Sequence, residues 1–505
     1  MRAAAFRPAQ WSETQIAAYL FVSLWLTYGF LAGDFTNSNS VTRMALIFAI
    51  IDHHALTIGD FARLTLDKAL FQGQLYADKT PGLSFTALPF VAAFVWAARV
   101  LDYASPPVFL GRLSVFFGYA TVVATFFTGG LFTAASAAAV YRLARYWQAS
   151  RSAALYGTLG FAVATPTLGW ASGFFAHAMA GACLFLAFAG VVLGAARKAG
   201  LRRAALDGLA VGLLLAWAAV VEPTAAVAAA LIGAFGLWEL RRTERRRRAV
   251  TVAAALLGAI VGLLPMLVYN WAAFGSLFHI GYENVVAFPG QRRGLLGVSW
   301  PQPAILYELV FGSRRGLLWF APIVVVAPLA YWAAFRALSI GTWLTLLGVP
   351  VAYLLIDAGY IYWSGGGSTG PRFLVPSLAF LSVPLEFLWQ RSGEGARLAL
   401  AGLAVLSAAD ALVCASVTMN AFERYANPLL DFIFPLFVAG RIRNLLTLAG
   451  MEGYATLAAI PLLWLAVGVA TAALGRRSTV ARSEAGPPRA AARSTAPRIR
   501  DARRR

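Results

Sequence analysis

Behind the first apolar stretch of this chain lies a polar island, Gly33 to Pro81, rich in groups that can move a proton or hold an anion. It carries the carboxylates Asp34, Asp52, Asp60, Asp67 and Asp78, the histidines His53 and His54, and the cations Arg43, Arg63, Lys68 and Lys79. A carboxylate can take a proton from a hydroxyl group, and an ammonium or guanidinium can hold a phosphate. Asp34 follows the apolar run directly and precedes Thr36, Asn37, Ser38 and Asn39, whose amides and hydroxyls could orient it or hold a sugar. The same position also suits a plain cap for a helix starting near Asn39–Val41. Lys79, next to Asp78 in YADKTPG, stands at an x-Pro-Gly break before an apolar helix. That setting fits a phosphate at a helix N-terminus, and equally a snorkelling lysine.

Further groups sit at the ends of later apolar runs. His177, in WASGFFAHA, is the only titratable side chain of its loop, and Glu222, in VVEPT, is a carboxylate between two apolar runs. A carboxylate there is either a site residue or a solvated turn. Arg314 and Arg315 precede an apolar run in LVFGSRRGLLWFAP; they suit an anionic ligand such as a phosphate, or interfacial anchoring. The segment DAGYIYWSGGGSTGPRF offers Tyr360, Tyr362 and Trp363 to stack on a sugar, glycines that let backbone approach a ligand, and Arg372 as a second phosphate cation. Its glycines lack the spacing of a phosphate-binding loop. The acidic island admits a divalent metal, but its spacing matches no oxygen cage, so no metal ligand is assigned. The loop 419–454 holds Glu423, Arg424, Asp431, Arg441 and Arg443 and suggests no chemistry by itself.

What must position these groups is a bundle in a membrane. The 505 residues are 60% hydrophobic and 13% charged, with apolar runs near 14–32, 83–101, 112–141, 153–170, 177–196, 204–221, 224–240, 249–270, 316–335, 340–357, 371–390, 397–418 and 455–474. Runs of about 20 residues cross a bilayer as helices, so the fold class is all-α, a polytopic helical membrane protein. The net charge of +20 comes from basic residues flanking these runs, which argues for membrane orientation and anionic lipid rather than nucleic acid. If every run crossed, the basic segments Arg142–Arg151, Arg197–Arg203 and Arg241–Arg248 would lie outside. Leaving 83–101 uncrossed, with Pro89 in mid-run, returns them to the cytoplasm along with both termini.

The expectation is therefore about twelve transmembrane helices in a membrane domain 1–475, with juxtamembrane helices in a first extracytoplasmic loop, 33–111. One of these, VTRMALIFAIIDHH, is amphipathic and lies flat. The basic segment 476–505 reads as a disordered cytoplasmic tail. Cys183 and Cys414 lie within apolar runs and read as buried small side chains.

With Asp34 just behind the first span and Lys79-Thr80-Pro81-Gly82-Leu83 closing the first loop, the chain resembles the lipid-linked-sugar glycosyltransferases of the GT-C superfamily. Its nearest branches are the protein O-mannosyltransferases and the aminoarabinose transferases that modify lipid A. The resemblance covers roughly residues 14–390. It implies that Asp34 is the catalytic carboxylate and that Lys79 contacts the lipid phosphate, in a motif that reads Lys- or His-Pro-Pro-Leu in the family. It also implies a polyprenyl-phosphate sugar donor and an acceptor still to be named. The chain departs from the pattern in lacking an acidic neighbour for Asp34, and in offering His177 where the family has a second acidic site. On this reading Lys79, Arg372 and Arg315 hold the donor phosphate, and Asn37, Asn39, Arg43, Asp78, His177, Glu222, Tyr360 and Trp363 surround the substrates. The enzyme would work at the extracytoplasmic face of the cell membrane and invert the anomeric centre. A transporter or flippase, or a non-catalytic assembly partner, is the alternative. Ionisable residues gathered in loops at one face, with few in mid-span, favour the enzyme.

Overall fold

The computed structural model describes residues 11–197 and 200–484. Every apolar run is helical. In chain order the elements are α1 (Glu13–Phe30), α2 (Ser38–His53), a hairpin of β1 (Lys68–Phe71) and β2 (Gln74–Ala77), and α3 (Gly82–Val100). Then come α4 (Val115–Tyr146), α5 (Arg151–Ala162), α6 (Ala176–Ala196), α7 (Leu201–Val221), α8 (Ala225–Leu240) and α9 (Arg245–Phe274). The last are α10 (Pro322–Phe335), α11 (Ile340–Gly359), the bent pair α12 (Arg372–Ser382) and α13 (Pro384–Arg391), α14 (Glu394–Val417), α15 (Leu429–Val438) and α16 (Ala459–Glu484). Among the described residues, eight helices are long and apolar enough to cross a membrane, or nine if the bent pair counts as one span. The helices α1, α5, α8 and α10 fall short of that test singly but join the same two ends of the bundle.

Helix starts follow from local capping. Ser12 caps α1 in a capping box with Gln15, and Ser114, Ser150 and Ser339 accept backbone N–H groups at the starts of α4, α5 and α11. One end of the bundle is tied by Glu13, which accepts from Tyr141 at 2.7 Å, Arg145 at 2.9 Å and Arg151 at 2.8 Å. The start of α1 therefore lies beside the end of α4 and the start of α5. The other end gathers the polar residues of the first loop.

By length and composition α3 could span, but its contacts keep both of its ends at this second end of the bundle. Thr80, just ahead of it, donates to the carbonyl of Val221 at the end of α7 at 3.3 Å. At its far end Arg99 pairs with Asp52 of α2 at 2.5 Å, and Phe94 stacks on Phe116 at the start of α4. A helix returning to its starting side lies along the bundle rather than through it.

The first loop is not wholly helical. Residues 68–77 form a two-stranded antiparallel hairpin in the register Lys68↔Ala77 and Phe71↔Gln74, turning through Gln72 (φ 48°) and Gly73 (φ 77°). Two successive positive-φ residues are what a tight hairpin turn requires. At the other terminus the helix α16 continues to Glu484, so the first residues assigned to a disordered tail are helical; residues 485–505 lie outside the described residues.

Candidate active site

Asp34 lies where α1 ends, and three later residues fix it there. Its Oδ2 accepts from the Thr418 hydroxyl at 2.5 Å and from Asn420 Nδ2 at 2.7 Å, while its Oδ1 faces Arg443 Nη1 at 3.3 Å. Asn420 also hydrogen-bonds the Asn37 side chain, which caps α2 by accepting from the Asn39 N–H. The cap of α2 is therefore Asn37, leaving the Asp34 carboxylate to face the cavity. The segment carrying Arg443 lies tight on the chain, because a Cβ on Gly33 would come within 2.8 Å of the Asn444 nitrogen. Only glycine allows that approach.

Lys79 is set by the hairpin. Extending the β1–β2 register by one residue brings Asp67 opposite Asp78, with Lys79 next in line. Its ammonium pairs with Asp78 at 2.9 Å and Asp67 at 3.6 Å, and lies 5.1 Å above the Tyr282 ring. Burial alone would expel the lysine's proton; the two carboxylates reverse that and hold Lys79 above the ordinary lysine range. Asp78 is fully buried and its Oδ1 has no hydrogen-bond partner. Burial raises its pKa to about 6, with Lys79 pulling the other way. An adjacent ammonium by itself would make Asp78 a poor base; here desolvation outweighs it.

Two cavities meet at this lysine. The main cleft, about 910 Å³, is lined by Asp34, Asn37, Asn39, Asp67, Lys79, Tyr362, Arg372, Asn420, Arg441 and Arg443, with Phe422, Phe432 and Leu436 as an apolar wall. A side chamber of about 290 Å³ contains Asn39, Lys79, His177, Glu222, Tyr353, Asp357, Tyr360 and Arg372, and its walls include Val227, Leu295, Leu296 and Ile356. Lys79, Arg372, Tyr360, Gln291, Phe373 and Asn39 line both. Arg372 lies 4.9 Å from the Phe373 ring, and its Nε has no hydrogen-bond partner. Gly365, at φ 72°, lets the glycine loop close over it, since a Cβ there would sit 3.0 Å from that nitrogen. His177 Nδ1 approaches Glu222 at 3.5 Å. Burial pushes the Glu222 carboxyl up, and Arg43, Lys79 and Arg372 pull it down by less.

Several expected site residues sit elsewhere or do other work. Arg315 is fully buried and spends its guanidinium on three carbonyls, Ser364 at 2.6 Å, Arg314 at 3.0 Å and Gly366 at 2.8 Å. It anchors the glycine loop and lines neither cavity, which corrects its assignment to the donor phosphate. Trp363 packs against the apolar core and leaves the cleft wall to Tyr362. Arg43 is buried behind the cavities and hydrogen-bonds the Asn39 side chain, so Asn39 orients that arginine instead of Asp34. Asp67, one of the carboxylates of the polar island, is buried against Lys79. Among the described residues no group of three or more His, Cys, Asp or Glu side chains comes together as a metal site.

Sequence reasoning missed Asp67, Tyr282, Tyr353, Asp357, Thr418, Asn420 and the role of Arg443. The Gln-Gly turn at 72–73 offered a local signal for Asp67, and Asp357 opens the same segment as Tyr360 and Arg372, with Tyr353 one turn before it. The others reach Asp34 and Lys79 from hundreds of positions away.

No family model matches the chain, and no curated protein does. Among solved structures it resembles ArnT, the lipid A aminoarabinose transferase, from Cupriavidus metallidurans bound to undecaprenyl phosphate, with 13% identity and a TM-score of 0.53 over 92% of this chain and 79% of that one. The same protein in the apo state aligns with 14% identity and a TM-score of 0.50 over 91% of this chain and 77% of that one. This chain thus shares its fold with ArnT, a membrane protein of the GT-C superfamily.

Proposed function

We propose that this protein is a membrane glycosyltransferase that moves a sugar from a polyprenyl-phosphate donor to an acceptor hydroxyl at the extracytoplasmic face. The observation that carries the reading is the junction of the two cavities at Lys79 and Arg372, with Asp34 in the main cleft. The polar cleft suits a water-borne or amphiphilic acceptor. That a GT-C neighbour is described bound to undecaprenyl phosphate supports the same donor class.

In this mechanism Asp34 takes the proton of the acceptor hydroxyl as its oxygen attacks the anomeric carbon. The bond from that carbon to the phosphate oxygen breaks, and the electron pair leaves with the phosphate. Lys79 and Arg372 stabilise the charge that develops there. Attack opposite the leaving group inverts the anomeric centre. Thr418 and Asn420 hold Asp34 by one oxygen and leave the other to Arg443 and the incoming hydroxyl. Binding of an undecaprenyl-phosphate sugar to purified protein tests the reading. Lys79→Ala and Arg372→Ala should each weaken it about tenfold to a hundredfold, the worth of a charge-assisted contact. Unchanged affinity in both removes the donor assignment.

A further inference from the structure

The side chamber holds hydrogen-bond acceptors that nothing in the protein satisfies. Asp357, in the last turn of α11, is 2% exposed and neither of its carboxylate oxygens has a hydrogen-bond partner. Tyr353, one turn earlier on the same face, is equally buried, and its hydroxyl is unpartnered. Across the chamber Gln291 donates its amide to the Tyr360 hydroxyl at 2.8 Å, while its own Oε1 has no partner. All three residues line the chamber, together with Glu222. Buried polar groups in native proteins are overwhelmingly paired, so a cluster of orphans around a cavity marks the place of a ligand.

The chemistry of the orphans restricts that ligand. An amide oxygen only accepts, and a carboxyl group keeps at least one accepting oxygen in either protonation state, so the ligand must bring O–H or N–H donors here. An isoprenoid brings none, and a phosphodiester brings none either. A sugar ring brings several. The cations at the mouth of the same chamber, Lys79 and Arg372, lie on the side towards Asp34, where a phosphate on the anomeric carbon would be held.

We propose that the side chamber is the donor's sugar-recognition site, in which Asp357, Tyr353 and Gln291 read the ring hydroxyls of a neutral or amine-bearing sugar. This rests on the donor class proposed above and adds which end of the donor is read, and by what. The acceptor keeps the main cleft, and the anomeric carbon lies where the two spaces meet.

The test compares two probes on the full-length protein in nanodiscs, undecaprenyl phosphate and undecaprenyl-phosphate glucose, with undecaprenyl-phosphate mannose as a second sugar. Asp357→Asn and Tyr353→Phe keep side-chain size. Asp357→Asn should weaken binding of whichever sugar-bearing probe the wild type prefers by about tenfold or more, and Tyr353→Phe by a few-fold. Both should bind undecaprenyl phosphate as the wild type does, a result that also certifies their fold. Equal losses for both probes, or no loss for either, would overturn the proposal. Wild-type protein that binds neither probe would sink the donor reading itself, whereas wild-type binding of undecaprenyl phosphate with no gain from either sugar would sink only the sugar site.

Discussion

Donor affinity should depend on pH through Asp78, and the sign follows from the geometry around Lys79. The ammonium is shared between Asp67 and Asp78, and burial has raised Asp78 from the usual aspartate value to about 6. Below that pH Asp78 is neutral and Lys79 is free to hold the donor phosphate. Above it the ionised carboxylate, 2.9 Å from the ammonium, competes with the phosphate and repels it. Two unit charges about 6 Å apart at an effective dielectric near 20 interact by roughly 3 kcal/mol. Relaxation and the mobility of Lys79 reduce this to about 1–2 kcal/mol, or roughly five- to thirtyfold in affinity.

An undecaprenyl-phosphate sugar is a phosphodiester and does not titrate in this range, so its binding measured from pH 5 to 8 reports the protein alone. Wild-type affinity should fall as pH rises through about 6. Asp78→Asn, nearly isosteric and still leaving Lys79 paired with Asp67, should bind more tightly at neutral pH with a flattened profile. Glu222, also raised by burial, can contribute a residual slope, which Glu222→Gln would remove. A flat wild-type profile, or an Asp78→Asn variant that keeps the full wild-type slope, refutes the reasoning.

Arg315→Ala should cost the fold rather than the chemistry. It removes three hydrogen bonds to backbone carbonyls, so thermal unfolding in detergent should show a loss of about 2–4 kcal/mol, and Arg315→Lys should not restore it, lacking the planar fork. Asn420→Ala takes a 2.7 Å donor from Asp34 and the partner of Asn37; turnover should fall about tenfold or more with donor binding intact. Arg443→Ala should cost clearly less, because its contact is longer and half exposed; a reversed order in the steady-state rates would reassign the residue that orients Asp34.

Much of the frame was legible because bilayer thickness is written into the length of each apolar run. The charge bias of the loops singled out 83–101, and the contacts of Thr80 and Arg99 give that helix its return path. Asp34 and Lys79 stood out because each sits at a helix boundary in a polar island, and both line the main cleft. Arg315 misled because outward charge bias says that an arginine has a partner, not whether that partner is a ligand or a carbonyl. Trp363 and Tyr362 are neighbours, and only the turn of the glycine loop decides which faces the cleft. Asp67 needed the hairpin register to be known. Thr418, Asn420 and Arg443 reach Asp34 across more than 380 positions, and a single sequence carries no trace of such contacts.

The central claim is that Asp34 is the base. The decisive measurement is sugar transfer by Asp34→Asn beside Asp78→Asn, with donor binding measured on the same preparations. Asp34→Asn keeps acceptors for Thr418 and Asn420 and should fold and bind donor. Its turnover should drop at least about a hundredfold, the scale of a lost general base, while Asp78→Asn stays active. Near-normal turnover by Asp34→Asn with an inactive Asp78→Asn would move the base to Asp78, and activity in both would contradict the account.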